Sequence, residues 1–154
     1  MYKRVLVPLD GSEFAESALE HVGAIAQAAK LESVILVRVV SPLLVRAKDY
    51  LEVEQARAAE DKQEAAAREY LKKTAAGLKK QGMPVQTKLV VDGEPAMKIL
   101  EAAREENVDL IVMSTHGSTG FAPWLFGSVT ERVLAHSAVP VLMVVPHGTR
   151  AHKW

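Results

Sequence analysis

Five short apolar runs rich in β-branched residues punctuate the chain: residues 4–9 (RVLVPL), 33–40 (SVILVRVV), 85–91 (VQTKLVV), 108–113 (VDLIVM) and 139–145 (VPVLMVV). Each has the length of a strand, and several are almost continuously apolar, as expected of strands covered on both faces. Between them the pattern changes to a helical period. After Leu9, apolar residues recur at Ala15, Ala18, Leu19, Val22, Ile25, Ala26 and Ala29, a stripe along one side of a helix, with Ser12 placed to cap its start. Residues 52–80 are dominated by Ala, Glu, Lys, Gln and Arg, all strong helix formers, and Gly82 and Pro84 supply a stop. A third helix is expected to open at Glu94-Pro95, since proline suits a first helical turn, and to turn Ile99, Leu100 and Ala103 inward. A fourth is expected to open at Ser128, where Ser128-Val129-Thr130-Glu131 has the form of a capping box.

The resulting order is β-α-β-α-β-α-β-α-β. Such alternation predicts an α/β fold built on one open parallel sheet with helices on both faces. No internal repeat interrupts it. Residues 42–51 form a looser connection ahead of the long helix, and the tail, residues 147–154, is expected to fray.

A chain of 154 residues suits one domain and suffices for a core without covalent staples. Its composition, 49% apolar and 25% charged, is that of an ordinary globular protein. The formal net charge of +0 gives no electrostatic footprint for nucleic acid. The absence of cysteine excludes disulfides and thiolate metal sites. No run is long enough for a secretory signal or a membrane span. The expectation is a cytoplasmic protein with no membrane partner.

In an open parallel sheet, ligands bind beyond the carboxyl ends of the strands, where the strand order reverses. Two loops carry suitable chemistry. Pro8-Leu9-Asp10-Gly11-Ser12, after the first strand, offers a carboxylate acceptor. Ser114-Thr115-His116-Gly117-Ser118-Thr119-Gly120, after the fourth, offers small residues and backbone N–H groups suited to phosphate. The helix start at Gly127-Ser128 adds N–H donors and a positive dipole end. One acidic acceptor and one anion cradle fit a nucleotide. The P-loop pattern and the dinucleotide G-x-G-x-x-G are both missing.

Two segments, VLVPLDGSEFAESALEHV and VDLIVMSTHGSTGFAPWLFGSVTERVLAHSAVPVLMV, closely resemble the universal stress protein family. The likeness extends over nearly the whole chain and implies one such domain over residues 1–146. It further implies a five-stranded parallel sheet of order 3-2-1-4-5, a Rossmann-like arrangement that sets the two loops side by side. The ATP-binding subgroup carries G-x2-G-x9-G-[ST], and this chain reads Ser114-x2-Gly117-x9-Gly127-Ser128, departing only at the first position. By this resemblance Asp10 would bond the ribose or adenine, and Pro8, Leu9, Val39 and Met113 would line the adenine pocket. Ser114 would stand where the subgroup has glycine. Gly117, Gly127, Ser128 and Val129 would contact the phosphates, helped by Thr130. The implied cofactors are ATP and Mg2+, the metal held through the phosphates with no protein side chain assigned to it. The implied role is a stress-response regulator or sensor, not an enzyme, with slow ATP hydrolysis left open.

Simpler accounts stand beside several of these roles. Asp10 also suits an Asx turn or a helix cap, and Gly117 and Gly120 also suit a plain turn. No Ser or Cys nucleophile around His116 has an obvious acid-base partner, and His21, His136, His147 and His152 lack metal-ligand spacing. The apolar block from Phe121 to Phe126 fits either packing against the sheet end or a flap over a ligand or partner. A member of the family acting by protein contact without nucleotide is the alternative reading. An enzyme would need a cation near the phosphates, and Arg132 is the nearest. The last strand, from Val139 to Val145, lies at an edge in the implied order. An apolar edge invites pairing with its twin, and the resemblance implies a homodimer through this strand.

Overall fold

The computed structural model describes residues 1–42, 50–116 and 126–146. The elements run β1 (Arg4–Pro8), α1 (Glu13–Ala29), β2 (Ser33–Val40), α2 (Tyr50–Lys80), β3 (Val85–Val91), α3 (Pro95–Glu105), β4 (Leu110–Ser114), α4 (Ser128–His136) and β5 (Val141–Val144). All strand pairs are parallel and the order is β3-β2-β1-β4-β5. The expected α/β class, the open sheet and the strand order are therefore those of the molecule.

Alternation along the strands divides the core in two. Val5, Val7, Val34, Leu36, Leu110 and Val112 face one way, onto α1 and α2. Leu6, Ile35, Val37, Ile111 and Met113 face the other way, onto α3 and α4. Both faces of β1, β2 and β4 are buried, which explains why these runs read as apolar without interruption. The α1 stripe behaves as its period predicts: Ala15, Ala18 and Val22 are buried, and Leu19, Ile25, Ala26 and Ala29 pack against the same core. In α2 burial begins only at Ala67 and continues through Leu71, Ala75 and Leu78. The first half of this helix is solvated and carries most of its residues outside the core, with Tyr50 and Leu51 exposed at its start.

Some boundaries move. β4 begins at Leu110, later than expected, because the Asp109 carboxylate accepts hydrogen bonds from the Lys3 and Arg4 backbone N–H groups. It runs on to Ser114. β5 loses Val139 and Pro140 at its start, although the Pro140 carbonyl still accepts from Ile111. The larger correction concerns α4. Gly127 is its N-cap, Ser128 is already helical, and among the described residues no side chain caps this end. The capping box expected from Ser128 to Glu131 does not form. The Glu131 N–H bonds to the Gly127 carbonyl instead, so the helix begins one residue early and the Ser128 hydroxyl is not a cap.

Candidate functional site

The carboxyl ends of β1 and β4 are neighbours, and the strand order reverses between them, so the cleft above them is the switch point. Its volume is about 320 Å³, within the range of small-molecule sites. Pro8, Leu9, Asp10, Val39, Met113, Ser114, Gly127, Ser128, Val129 and Thr130 all line it. These are the site residues expected from the sequence, apart from Gly117, which lies outside the described residues, as do Gly120 and the segment from Phe121 to Leu125. His116, in the expected phosphate loop but given no role, lines it too, and four further lining residues were not anticipated: Ala15, Val37, Pro95 and Ile99. Val37 was legible, since it lies two positions before Val39 and so shares its face of the strand.

The first loop is tightly built. Asp10 Oδ1 accepts from the Ser12 N–H at 2.9 Å and from the Ser12 hydroxyl at 2.6 Å. The Ser12 Oγ in turn accepts from the Ala15 N–H at 3.2 Å and caps α1. Asp10 thus makes the Asx turn that its sequence context allowed, and it is still exposed at the cleft. Between them Gly11 has φ +88, a left-handed backbone that favours glycine. A Cβ there would also lie 3.0 Å from Nη1 of Arg38. That guanidinium stacks over Tyr70, 5.0 Å from the ring centroid, and the Tyr70 hydroxyl donates to Glu16 at 2.8 Å. Burial, then the bond to Glu16, push the Tyr70 phenol above its usual range. The loop that presents Asp10 is therefore braced from behind by β2, α2 and α1.

The second half of the site is more open. Ser114 is buried in extended backbone at the end of β4 and is not among the positive-φ residues. Serine in place of glycine here carries no backbone strain. Its Oγ accepts from the His116 N–H at 3.3 Å and its carbonyl from the Thr130 hydroxyl at 3.2 Å. Thr115 Oγ1 and His116 Nδ1 are 2.8 Å apart, both residues buried. The Gly127 N–H donates to the Thr115 carbonyl, tying α4 to β4. Gly127 itself has φ −61 and ψ 150, angles open to any residue. A Cβ there would meet nothing closer than 3.9 Å. Neither backbone conformation nor packing among the described residues demands glycine at this point.

Three helices have described N-caps. Ser12 caps α1, and Glu94 caps α3 by accepting from Ala96 and Met97. Those bonds, the Met97 one foremost, hold the Glu94 carboxyl below its usual range, with Arg132 adding to the effect. Among the described residues no side chain caps the start of α4, and Gly127 to Thr130 bring that helix end, with its positive dipole, to the cleft. The cleft thus pairs an apolar floor and one carboxylate with an uncapped helix start. Among the described residues no group of three His, Asp or Glu side chains could hold a metal ion. No helix there is long and apolar enough to cross a membrane.

An open parallel sheet with an anion-receptive cleft at its switch point places the chain among Rossmann-like α/β proteins. The family is narrower than that. The model of the Universal stress protein family matches residues 1–145. A universal stress protein of Methanocaldococcus jannaschii is 35% identical, with 94% of this chain and 95% of the relative aligned. Its solved structure superposes with a TM-score of 0.82 at 36% identity, covering 96% of this chain and 99% of that one. A crystal structure of a universal stress protein in complex with cAMP gives a TM-score of 0.68 at 26% identity, over 94% of this chain and 97% of that one. The chain belongs to the universal stress protein family.

Proposed function

We propose that the switch-point cleft binds an adenine nucleotide, with ATP and Mg2+ as its ligands, and that the protein acts as a stress-response regulator or sensor. The observation that carries this reading is Gly127. It lines the cleft as the N-cap of α4, and among the described residues neither its angles nor its packing demands glycine. Glycine suits an N-cap, and a bare Cα at a helix start also admits close approach of a ligand to the backbone. The adenine would rest among Val39, Met113, Pro8 and Leu9, with Asp10 as acceptor for the ribose or base. The phosphates would meet the N–H groups of Ser128, Val129 and Thr130, and Gly117 belongs to the same proposal. Mg2+ would be held by the phosphates. The relative solved with cAMP supports the adenine class of ligand.

The test is thermal unfolding with millimolar ATP and magnesium. A ligand present at about 100 times its Kd adds about 2.7 kcal/mol of stability, so a rise of several degrees in Tm is expected. No shift with ATP, ADP, AMP or cAMP overturns the reading. Absorbance near 260 nm of the denatured, purified protein checks for nucleotide carried through purification.

The same reading includes a homodimer through β5. The other edge strand, β3, carries Lys88 paired with Glu105 and Glu106, and such charges discourage edge pairing. β5 has only apolar side chains, with Leu142 and the adjoining Val145 exposed. Sedimentation at micromolar concentration is expected to show a dimer, and a monomer contradicts it. Cytoplasmic location belongs to this proposal too.

A further inference from the structure

We propose that Arg132 reads the number of phosphates on the bound nucleotide. It would hold the outermost phosphate of a triphosphate, and Glu94 parks its guanidinium when none is there. The inference rests on the adenine-nucleotide reading of the cleft. None of the described residues lining the cleft is lysine or arginine, and residues 117–125 contain neither. Among the described lining residues the charge of a triphosphate would otherwise meet backbone N–H groups, the Ser128 and Thr130 hydroxyls, His116 and its own Mg2+.

Arg132 lies one helical turn beyond Ser128 on α4. Residues four apart share a helix face, and helical side chains lean back toward the N-terminus. The guanidinium is therefore directed toward the helix end where the phosphates are placed. Its partner Glu94 immediately precedes Pro95, which lines the cleft. The ion pair thus joins the start of α3, next to the lining residue Pro95, to α4.

The pair is built to be broken. It is a single contact, Nη1 to Oε1 at 3.3 Å, with the side chains 62% and 38% exposed. Exposed pairs of this kind contribute little. Glu94 does not depend on it, because its two oxygens accept from the Ala96 and Met97 N–H groups. Arg132 can leave without stranding a buried charge. A terminal phosphate offers several oxygens to the planar fork of the guanidinium. AMP, whose one phosphate sits at the start of α4, would not extend to it.

The experiment is titration calorimetry of ATP and AMP, each with magnesium, on wild type, Arg132→Ala and Glu94→Gln, with Tm as a check on folding. Arg132→Ala is expected to weaken ATP about tenfold, as for a lost charge-assisted bond, and AMP by less than about twofold. Glu94→Gln keeps an oxygen for the cap and removes the competing charge, so ATP is expected to bind more tightly. Equal losses for ATP and AMP, or an unchanged ratio in Arg132→Ala, overturn the inference while leaving the nucleotide reading intact. Wild-type protein that binds neither nucleotide overturns both.

Discussion

The two loops that flank the cleft contain a glycine each beside a helix start, and they are built in opposite ways. At Asp10-Gly11-Ser12 every feature has a use inside the protein. Asp10 holds Ser12, Ser12 caps α1, and Gly11 takes a left-handed conformation against Arg38. At Gly127-Ser128 the glycine has ordinary angles and open space, and the helix has no side-chain cap. The first loop is a finished structure that displays one carboxylate. At the second the Gly127 N–H is taken by the Thr115 carbonyl, and among the described residues no side chain caps the N–H groups that follow, which leaves a helix start where an anion can bind.

Exchanging the glycines is the strongest way to break this contrast. Gly127→Ala is expected to weaken ATP by tenfold or more, on the order of the 1–3 kcal/mol that one misplaced methyl group costs in a pocket. Its stability cost is about 1 kcal/mol, since alanine is a poorer N-cap, or roughly 2–4 °C in Tm. Gly11→Ala is expected to do the reverse. Left-handed backbone costs an L-residue roughly 1–2 kcal/mol, so Tm falls while affinity stays within about threefold of wild type. Calorimetry and thermal melts on both variants decide the matter. Loss of stability without loss of binding in Gly127→Ala would abolish the distinction.

Asp10→Asn sharpens the picture at the first loop. The amide oxygen can still accept from Ser12, so the turn survives. The second carboxylate oxygen is replaced by NH2, which cannot accept from a ribose hydroxyl. ATP affinity is expected to fall about tenfold, the value of one hydrogen bond to a charged group, with Tm little changed. An equal loss of both would mean that Asp10 serves the turn alone.

Much of this was legible from the chain. Short, nearly continuous apolar runs and helical-period patterns located the nine elements of the described residues, and Ser12 and Glu94-Pro95 marked the starts of α1 and α3. The strand order was not in the pattern. It came from the family likeness, because hydrophobic alternation shows that a strand is buried without showing beside which neighbour. The capping-box pattern misled at Ser128, since S-x-x-E describes residues that are compatible with a cap. The Gly127–Thr115 backbone bond sets where the helix begins. Pro95 and Ile99 went unnoticed at the cleft because only the packing of α3 against the sheet brings them there. The Arg132–Glu94 pair is long-range, and charges distant in sequence leave no periodic signal.

The smallest expected effect concerns Ser114, the one departure from the subgroup's glycine pattern. Because its backbone is extended, Ser114→Gly should change ATP affinity by no more than about twofold. A large gain would show that the native serine obstructs the site.

The central claim is that the open start of α4, and not the closed first loop, makes this cleft an anion site for an adenine nucleotide. Isothermal titration of ATP with magnesium into the full chain tests it most directly, with adenosine as the comparison. The account predicts a saturable heat with one nucleotide per chain for ATP and much weaker binding of adenosine. No heat at millimolar ATP, or equal binding of ATP and adenosine, would contradict it.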